Sequence, residues 1–348
     1  MDKNMMEKAQ SLQAIEAYEL VTQLQTYFAD RLNKVSAEFG SAQDFEEVFW
    51  VRDEGKHGGG SRLEARDETL FNRGSVNVSQ IQYDDMPEKK LGSATAISTI
   101  IHPNNPHVPS MHMHISWTEM RDGKGYWRVM ADLNPSIVNE EAKGVFTATL
   151  KSEAAEHAAS GIASGNKYFN IPALGRTRGV SHFYLEGFNT GDFQADKAFA
   201  KNMGTKVIDA YIKIITNAMQ KNPTFTKEEK AEQLAYHTLY LFQVLTLDRG
   251  TTSGLLVHSQ NDVGIMGSIP SHVNRELLTS WIDKMPAPQE KLVQALLDAL
   301  PHEMPTPVEV DTKKKLAQAV RGHYKQYPEA LSMQASGEII PPTVDNHS

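Results

Sequence analysis

The stretch that decides the fold is residues 111–132, MHMHISWTEMRDGKGYWRVMAD. In residues 111–117 apolar and polar side chains alternate, which is typical of a strand with one buried face and one polar face. Residues 122–125, DGKG, are turn formers that separate this strand from a second strand-like run. The stretch therefore predicts a β-hairpin whose polar face carries His112 and His114.

The length of the hairpin loop decides which side chains share the polar face, because side chains along a strand alternate between two faces. We expect an odd loop of three or five residues, which places Asp132 opposite His114 and on the same face as His112. An even loop would place Asp132 on the other face. The first arrangement allows a His–Asp pair in a cleft to transfer protons near neutral pH, whereas a solvent-facing polar sheet is the plainer alternative.

A metal site is a further interpretation of this part of the chain, which carries His102, His107, His112 and His114. Two histidines separated by one residue on a strand can present both imidazoles to one ion. The prolines between the first three histidines leave the directions of their side chains open. We therefore rank metal binding below proton transfer.

Helical periodicity flanks a block of strand-like runs, which indicates an α+β fold. Helices are predicted in the ranges 5–39, 196–219, 227–245, 275–282, 289–300 and 313–327. Strands are also predicted in 75–83, 94–101 and 183–188, while 241–247 fits either a strand or a helix. Short turns between the strands imply antiparallel pairing. Because no repeat or linker interrupts the chain, we expect one domain over residues 1–335 and a frayed tail over 336–348.

The composition argues against several classes of function. The chain has 348 residues and a net charge of −8 at pH 7, and its one basic run, residues 313–315, is expected to be a solvated helix face, so nucleic-acid binding is not expected. The absence of cysteine excludes disulfides, thiolate metal sites and cysteine nucleophiles. No apolar stretch is long enough to span a membrane, and the N-terminus lacks the pattern of a secretory signal, so we expect a cytoplasmic protein.

Seven segments, in order, resemble the oxygen-dependent coproporphyrinogen III oxidase family. The longest is residues 98–113, STIIHPNNPHVPSMHM, which is similar to the family signature S-x-V-I-H-P-x-N-P-x-x-P-x-x-H-M-N. The others are residues 58–62 (GGGSR), 71–79 (FNRGSVNVS), 132–135 (DLNP), 178–180 (RGV), 248–251 (DRGT) and 268–270 (SIP). Their order and spacing agree with the family over about residues 48–270.

The resemblance implies a fold and a reaction. The fold is a large antiparallel β-sheet covered by α-helices on both faces, in a protein that forms homodimers. The reaction converts coproporphyrinogen III to protoporphyrinogen IX in haem biosynthesis, and two propionates become vinyl groups. The porphyrinogen is the expected partner, O₂ is the co-substrate, no organic cofactor is implied, and a divalent metal is a further possibility.

The resemblance also implies roles for single residues. It implies that His112 is the catalytic proton donor and that Asp132 engages the pyrrole N–H groups of the substrate. Ser98 matches a substrate-contacting serine, and His102 together with His112 matches the metal-ligand positions. A carboxylate suits pyrrole N–H groups, and an imidazole suits proton transfer.

This chain departs from the family at positions that bind the carboxylates of the substrate. The family's Asn-x-Arg is His114-Ile115-Ser116 here, and its Gly-Gly-Arg corresponds to residues 259–261, SQN. A family Gly-Gly-Gly is replaced by Arg128-Val129-Met130. Coproporphyrinogen carries four carboxylates, and Ser or Asn cannot replace the charge of Arg. We therefore expect other residues to contact the substrate, namely His114, Arg128, Arg178 and Arg249, with Arg62 and Arg73 as further candidates.

These departures leave two alternatives to coproporphyrinogen oxidation. One is a divergent homologue that oxidises a different small molecule. The other is a tetrapyrrole-binding protein without enzymatic activity.

Overall fold

The structure is a computed structural model that describes residues 6–257 and 261–337. Within these ranges the central sheet contains β1 (Glu46–Val51), β2 (Gly58–Glu64), β3 (Phe71–Gln82), β4 (Leu91–Pro103), β5 (Ser110–Met120), β6 (Gly125–Asn134) and, after two shorter strands, β9 (Ser181–Phe188). The sheet is antiparallel throughout, and its order is β1-β2-β3-β4-β5-β6-β9. Two small sheets pair β7 (Asn170–Ile171) with β8 (Arg176–Thr177), and β10 (His272–Val273) with β11 (Thr306–Pro307).

Helices cover both faces of the sheet, so the predicted α+β fold is confirmed. The helices are α1 (Leu12–Phe39), α2 (Glu140–Ala154), α3 (Ala158–Tyr168), α4 (Phe193–Lys221), α5 (Lys227–Thr246), α6 (Arg249–Val257), α7 (Asp262–Ile265), α8 (Arg275–Thr279), α9 (Gln289–Ala299) and α10 (Val310–Gln326). No helix in the described part of the chain is long and apolar enough to cross a membrane.

One face of the sheet is apolar. Alternate residues of its strands, such as Val78, Ile97, Ile115 and Val129, are buried against α1, α2 and α4. Each such side chain contributes about 1.5–3 kcal/mol when it leaves water. This core therefore fixes which side chains of the strands must turn to the other face.

The opposite face of the sheet is polar. Residues that pair across neighbouring strands share a face, so Asn77, Ser98 and His114 form one row. Helix α5 lies over this face and packs with α9 and α10 in a second hydrophobic core. Of the seven described strands of the central sheet, only β4 contributes a buried residue to this core, Ile100. The face thus lies inside the protein although it is polar.

The hairpin that decides the fold has a three-residue loop, because the Met120 N–H donates to the Lys124 carbonyl at 2.7 Å and closes residues 121–123. The expected odd loop and the shared face of His112 and Asp132 are confirmed. The expected direct partner was wrong, since Asp132 pairs with His112 rather than His114. A loop of three residues instead of five moves the partner by two positions.

The predicted helices match α1, α4, α5, α9 and α10, with shifted ends. Helix α1 begins at Leu12 rather than residue 5 because the Ser11 side chain caps it, accepting from the Ala14 N–H at 3.1 Å. In the range 275–282 the α-helix covers only Arg275–Thr279. Residues 241–247 are the end of α5 and its C-cap, so the strand interpretation of that segment was wrong.

Two other predictions concern the basic run 313–315 and the C-terminal tail. In the basic run 313–315, Lys314 and Lys315 are exposed as predicted, but Lys313 is only 7% exposed, so the expectation of a solvated face was wrong there. Residues 336 and 337 of the expected frayed tail lack regular structure. The rest of that tail, residues 338–348, lies outside the described residues.

Candidate active site

A cavity of about 330 Å³ lies between the polar face of the sheet and helices α5, α6 and α7. This volume is within the range of small-molecule sites. The sheet supplies mainly small and polar side chains to the wall, among them Ser75, Asn77, Ser98, His112, His114, Ser116 and Arg128. The facing residues include Arg178, Tyr240, Asp248, Ser253, Asn261 and Gly264.

His112 and Asp132 form a hydrogen-bonded pair across β5 and β6, with 2.7 Å between Nδ1 and Oδ1. The carboxylate accepts, so Nδ1 of His112 is the donor in this bond, and in the neutral imidazole the lone pair is then on Nε2. No described residue forms a hydrogen bond with Nε2, and His112 lies in the cavity wall. The pair therefore presents an oriented basic nitrogen to the cavity.

Asp132 is wholly buried and is held by three donors. Besides His112, Arg178 donates from Nη2 to Oδ2 at 2.7 Å, and Asn134 donates from Nδ2 to the same oxygen at 2.6 Å. Burial alone would raise the pKa of Asp132, but Arg178 and His112 outweigh it and hold the pKa well below its usual value. Asp132 therefore stays charged, and its place behind His112 suits orienting that imidazole better than contacting a pyrrole.

Arg178 lies in the cavity wall, but its charge is matched by Asp132. Its Nη1 donates to Gln243 Oε1 at 2.7 Å, and its guanidinium lies over the rings of Phe169 and Tyr240 at 4.5 and 4.9 Å. Burial would lower the pKa of Arg178, yet the negative charge of Asp132 raises it above the usual value. The predicted substrate contact is thus at the cavity, with its charge matched by Asp132, while its Nε is buried without a hydrogen-bond partner in the described part of the chain.

Arg128 also lies in the wall and is also neutralised. It makes two hydrogen bonds to Glu186, from Nε to Oε2 and from Nη2 to Oε1, the latter at 3.0 Å. Tyr184 donates its hydroxyl to the same carboxylate. Burial would lower the pKa of Arg128, but Glu186 raises it well above the usual value. Across the strands Arg128 pairs with Ser116, the position where the family has its arginine.

Ser98 and His114 are cross-strand partners, and both line the cavity as predicted. Burial, and then the charges of Arg128 and His112, lower the pKa of His114 well below its usual value. Its Nε2 is buried without a hydrogen-bond partner in the described part of the chain. An unpaired buried polar atom costs free energy, so a ligand group is the natural partner for this nitrogen.

Arg249 was predicted to contact the substrate, but it does not lie in the cavity wall. Its Nε lies 3.4 Å from the carbonyl oxygen of Ala335, whereas the neighbouring Asp248 and Thr251 face the cavity. Asp248 accepts from the Tyr168 hydroxyl at 2.9 Å and adds a negative charge to the wall. Of residues 259–261, the first two lie outside the described residues, and Asn261 lies in the wall.

The predicted metal ligands do not fit a metal site. His102 uses both ring nitrogens, with Nδ1 2.8 Å from Ser110 Oγ and Nε2 3.2 Å from the carbonyl oxygen of Ser268. The Nε2 of His107 lies 2.9 Å from Glu229 Oε1. Within residues 6–257 and 261–337, no three His, Asp or Glu side chains are grouped as a metal ion requires. We therefore assign no chemical step to a metal.

Sequence reasoning missed Glu186 and Asp248, the acids that set the charge of the wall. The alternation of residues 181–188 does contain a signal for Glu186. It places Glu186 on the same face as His182 and Tyr184, and His182 pairs with Asp132 across the strands. Asp248 begins the segment 248–251 that resembles the family, but only Arg249 of that segment was named as a site residue.

An imidazole oriented by a buried carboxylate, at a cavity on the polar face of an antiparallel sheet, is the architecture of an enzyme that moves protons on a small molecule. The model of the family described as coproporphyrinogen III oxidase matches residues 16–300. The chain therefore belongs to the coproporphyrinogen III oxidase family, a family of oxygen-dependent oxidoreductases.

Similar proteins carry the corresponding name. The oxygen-dependent coproporphyrinogen-III oxidase of Drosophila melanogaster is 27% identical over 283 residues, which are 74% of this chain and 71% of that protein. The mitochondrial enzyme of Rattus norvegicus is 27% identical over 292 residues, 76% of this chain and 63% of the rat protein. The human mitochondrial enzyme is 26% identical over 292 residues, 76% of this chain and 62% of the human protein. The chain thus spans less than two thirds of the two mammalian relatives.

Proposed function

We propose that this protein is an oxygen-dependent oxidase of a porphyrinogen, with coproporphyrinogen III as the first candidate substrate and protoporphyrinogen IX as the product. The observation that carries the proposal is the basic Nε2 of His112, oriented by Asp132 and facing the cavity. Each propionate would react with O₂ and one proton to give a vinyl group, CO₂ and hydrogen peroxide. No organic cofactor is needed for this balance, because O₂ accepts the two electrons.

The chain's own residues supply the proton transfers. As the propionate side chain loses two electrons to O₂, its β-carbon must lose a proton, and we assign the acceptance of this proton to Nε2 of His112. The negative charge of Asp132 stabilises the imidazolium that results. Cleavage of the bond to the carboxylate releases CO₂ and completes the double bond. The imidazolium can then return its proton to the reduced oxygen.

A different substrate is the second candidate, because the charges of the wall match a tetracarboxylate poorly. The arginines Arg128 and Arg178 are paired with Glu186 and Asp132, and Asp248 adds a further negative charge. A smaller or less acidic molecule would meet less repulsion there. The third possibility, tetrapyrrole binding without turnover, would leave the orientation of His112 without a use.

The test is turnover by the purified protein. Coproporphyrinogen III, prepared without oxygen, is mixed with protein and air, and O₂ uptake, CO₂ release and vinyl products are measured, with the Drosophila relative as positive control. We expect CO₂ and vinyl products from the wild type and none from His112→Ala. Binding without CO₂ release would contradict the proposed reaction, and failure to bind would favour the different substrate.

Two further proposals follow from the family. We propose a homodimer, which light scattering of the purified protein would test. We also propose a cytoplasmic location, which fractionation of cells that express the untagged protein would test.

A further inference from the structure

Three cationic side chains lie on the β2–β3 side of the cavity. Arg62 and Arg73 share the polar face of the sheet, and Lys313 belongs to α10, which packs against α7 beside Arg62. Arg62 of β2 and Lys313 of α10 are only 6% and 7% exposed, and Arg73 of β3 is half-buried. We call these three residues the basic cluster. Burial, and then the charge of Arg73, lower the pKa of Lys313 to about 8, so the cations lie close enough to repel one another.

The basic cluster is short of negative charge. Arg62 pairs with Glu64, at 2.5 Å between Nε and Oε1. In the described ranges, the side chains of Arg73 and Lys313 form no ion pair and no hydrogen bond, and the Nε of Arg73 is buried without a partner. Glu64 and Glu68 act on Arg73 only at a distance, where their charges raise its pKa against the effect of burial. Unpaired buried charge is costly, and a site that retains it is usually completed by a counter-ion.

Arg62 connects the basic cluster to the cavity wall. It pairs across the strands with Asn77, which lines the cavity. On the helical side it lies against Gly264, where an added Cβ would come within 2.6 Å of Arg62 Nη1. Glycine at this position therefore lets α7 approach the guanidinium closely. An anion held by the cluster would lie at the margin of the same cavity.

We propose that Arg62, Arg73 and Lys313 form an anion subsite that holds a carboxylate of the substrate. The identity of that ligand rests on the proposed function, whereas the affinity for an oxyanion does not. The cations of the opposite wall, Arg128 and Arg178, are already matched by carboxylates of the protein. The subsite therefore fixes the orientation of the substrate by placing one acidic side chain at β2–β3.

The test is binding of coproporphyrin III, the stable oxidised porphyrin with four carboxylates, compared with its uncharged tetramethyl ester. Fluorescence titrations are made with the wild type, Arg73→Gln and Lys313→Met. Lys314→Met is the matched control, because Lys314 is exposed and one position further along the same helix. We expect each of the first two variants to bind the acid about tenfold more weakly. The ester should bind equally to all four proteins.

Equal binding of coproporphyrin III by the wild type and both cluster variants would overturn the proposal. Thermal unfolding separates a free anion from a substrate group. Inorganic phosphate should raise the melting temperature of the wild type and of Lys314→Met more than that of Arg73→Gln and Lys313→Met. Stabilisation by phosphate together with unchanged porphyrin binding would show a free-anion site and would reject the substrate assignment.

The same variants separate this proposal from the proposed reaction. Loss of binding of the acid without any turnover by the wild type would leave the subsite standing and reject the reaction. Turnover by the wild type that Arg73→Gln and Lys313→Met retain, at unchanged KM, would reject the subsite alone. The melting temperatures in buffer without phosphate verify that both variants are folded.

Discussion

The two ends of the polar face differ in whether their cationic side chains form ion pairs with carboxylates of the protein. At the β5–β6–β9 end, which we call the paired end, Arg178 meets Asp132 and Arg128 meets Glu186. At the β2–β3 end, the basic cluster has Glu64 alone as a directly bonded carboxylate among the described residues. The cations of the paired end are matched by carboxylates of the protein, and two of the three cations of the basic cluster are not. The difference suggests that chemistry is organised at one end and recognition of an acidic group at the other.

The largest expected effect is at the paired end. His112→Ala should lower turnover by about 10²- to 10⁴-fold, because the proton acceptor is lost, with little change in stability. Asp132→Asn should lower turnover similarly. It should also cost about 3–5 kcal/mol of the free energy of unfolding, because Arg178 loses its counter-charge in a buried site.

Oxygen uptake and urea unfolding measure the two quantities separately. If Asp132→Asn is as stable as His112→Ala, then Arg178 does not depend on Asp132 and the paired end is misassigned.

The next largest effect is expected from a substitution that removes one ion pair of the paired end. Glu186→Gln leaves Arg128 without its carboxylate, so we expect a loss of about 3 kcal/mol of stability. Binding of coproporphyrin III should become tighter in the same variant, because the freed guanidinium can take a carboxylate of the ligand. Fluorescence titration measures the binding, and the tetramethyl ester is the control that should not respond. Weaker binding of the acid by this variant would contradict the charge argument.

The basic cluster should show a pH signature. The pKa of Lys313 is lowered to about 8 by burial, while the unfolded chain has the usual value of 10.5. Between these pH values the unfolded state binds more protons than the folded state, so the free energy of unfolding should rise with pH. The increment is at most about 3 kcal/mol.

Lys313→Met should lack this increment, and Lys314→Met should keep it. Urea unfolding from pH 7 to 10.5, without added anions, gives the measurement. Saturating phosphate should reduce the increment, since a bound anion favours the charged lysine. A Lys313→Met protein with the pH slope of the wild type would mean that Lys313 is charged throughout.

The smallest effect concerns an element common to both ends. Helix α5 begins with a capping box, in which Thr226 accepts from the Glu229 N–H at 3.2 Å and the Glu229 side chain accepts from the Thr226 N–H. Thr226→Ala should cost about 1 kcal/mol of stability. It should change neither turnover nor porphyrin binding, because the two capping bonds join Thr226 and Glu229 only and include no residue of either group of charges. A selective loss of ligand binding would show that α5 couples the two ends.

Local patterns predicted the sheet and the His–Asp face. The alternation in residues 111–117 is a local property, and it placed His112 on the polar face correctly. The partner of Asp132 was wrong by two residues because loops of three and five residues preserve the same faces. Helices α2, α3, α6 and α7 were not predicted, and α3 is rich in Ala, Gly and Ser.

The charges of the site depended on tertiary neighbours that no local pattern contains. Lys313 lies in a run of three lysines, and only the packing of α10 decides which one is buried. Arg249 follows the same motif as Asp248 and Thr251, yet it turns away from the cavity. The pairing of Arg128 with Glu186 joins two strands that are neighbours in the sheet but far apart in the chain. Sequence patterns identified the arginines and could not show which of them were already neutralised.

The exchange between positions 116 and 128 has a consequence for comparing relatives of this protein. The two positions are direct partners on adjacent strands, so a guanidinium can move twelve places along the chain while its Cα moves about one strand spacing, about 4.8 Å. A sequence alignment scores this as two unrelated changes, the loss of an arginine to serine at position 116 and the replacement of a glycine by arginine at position 128. Superposed by sheet position, the two events become one transfer of a guanidinium to the neighbouring strand, where Glu186 pairs with it. Surveys of substrate range in this family should therefore score pairs of partnered positions instead of single columns.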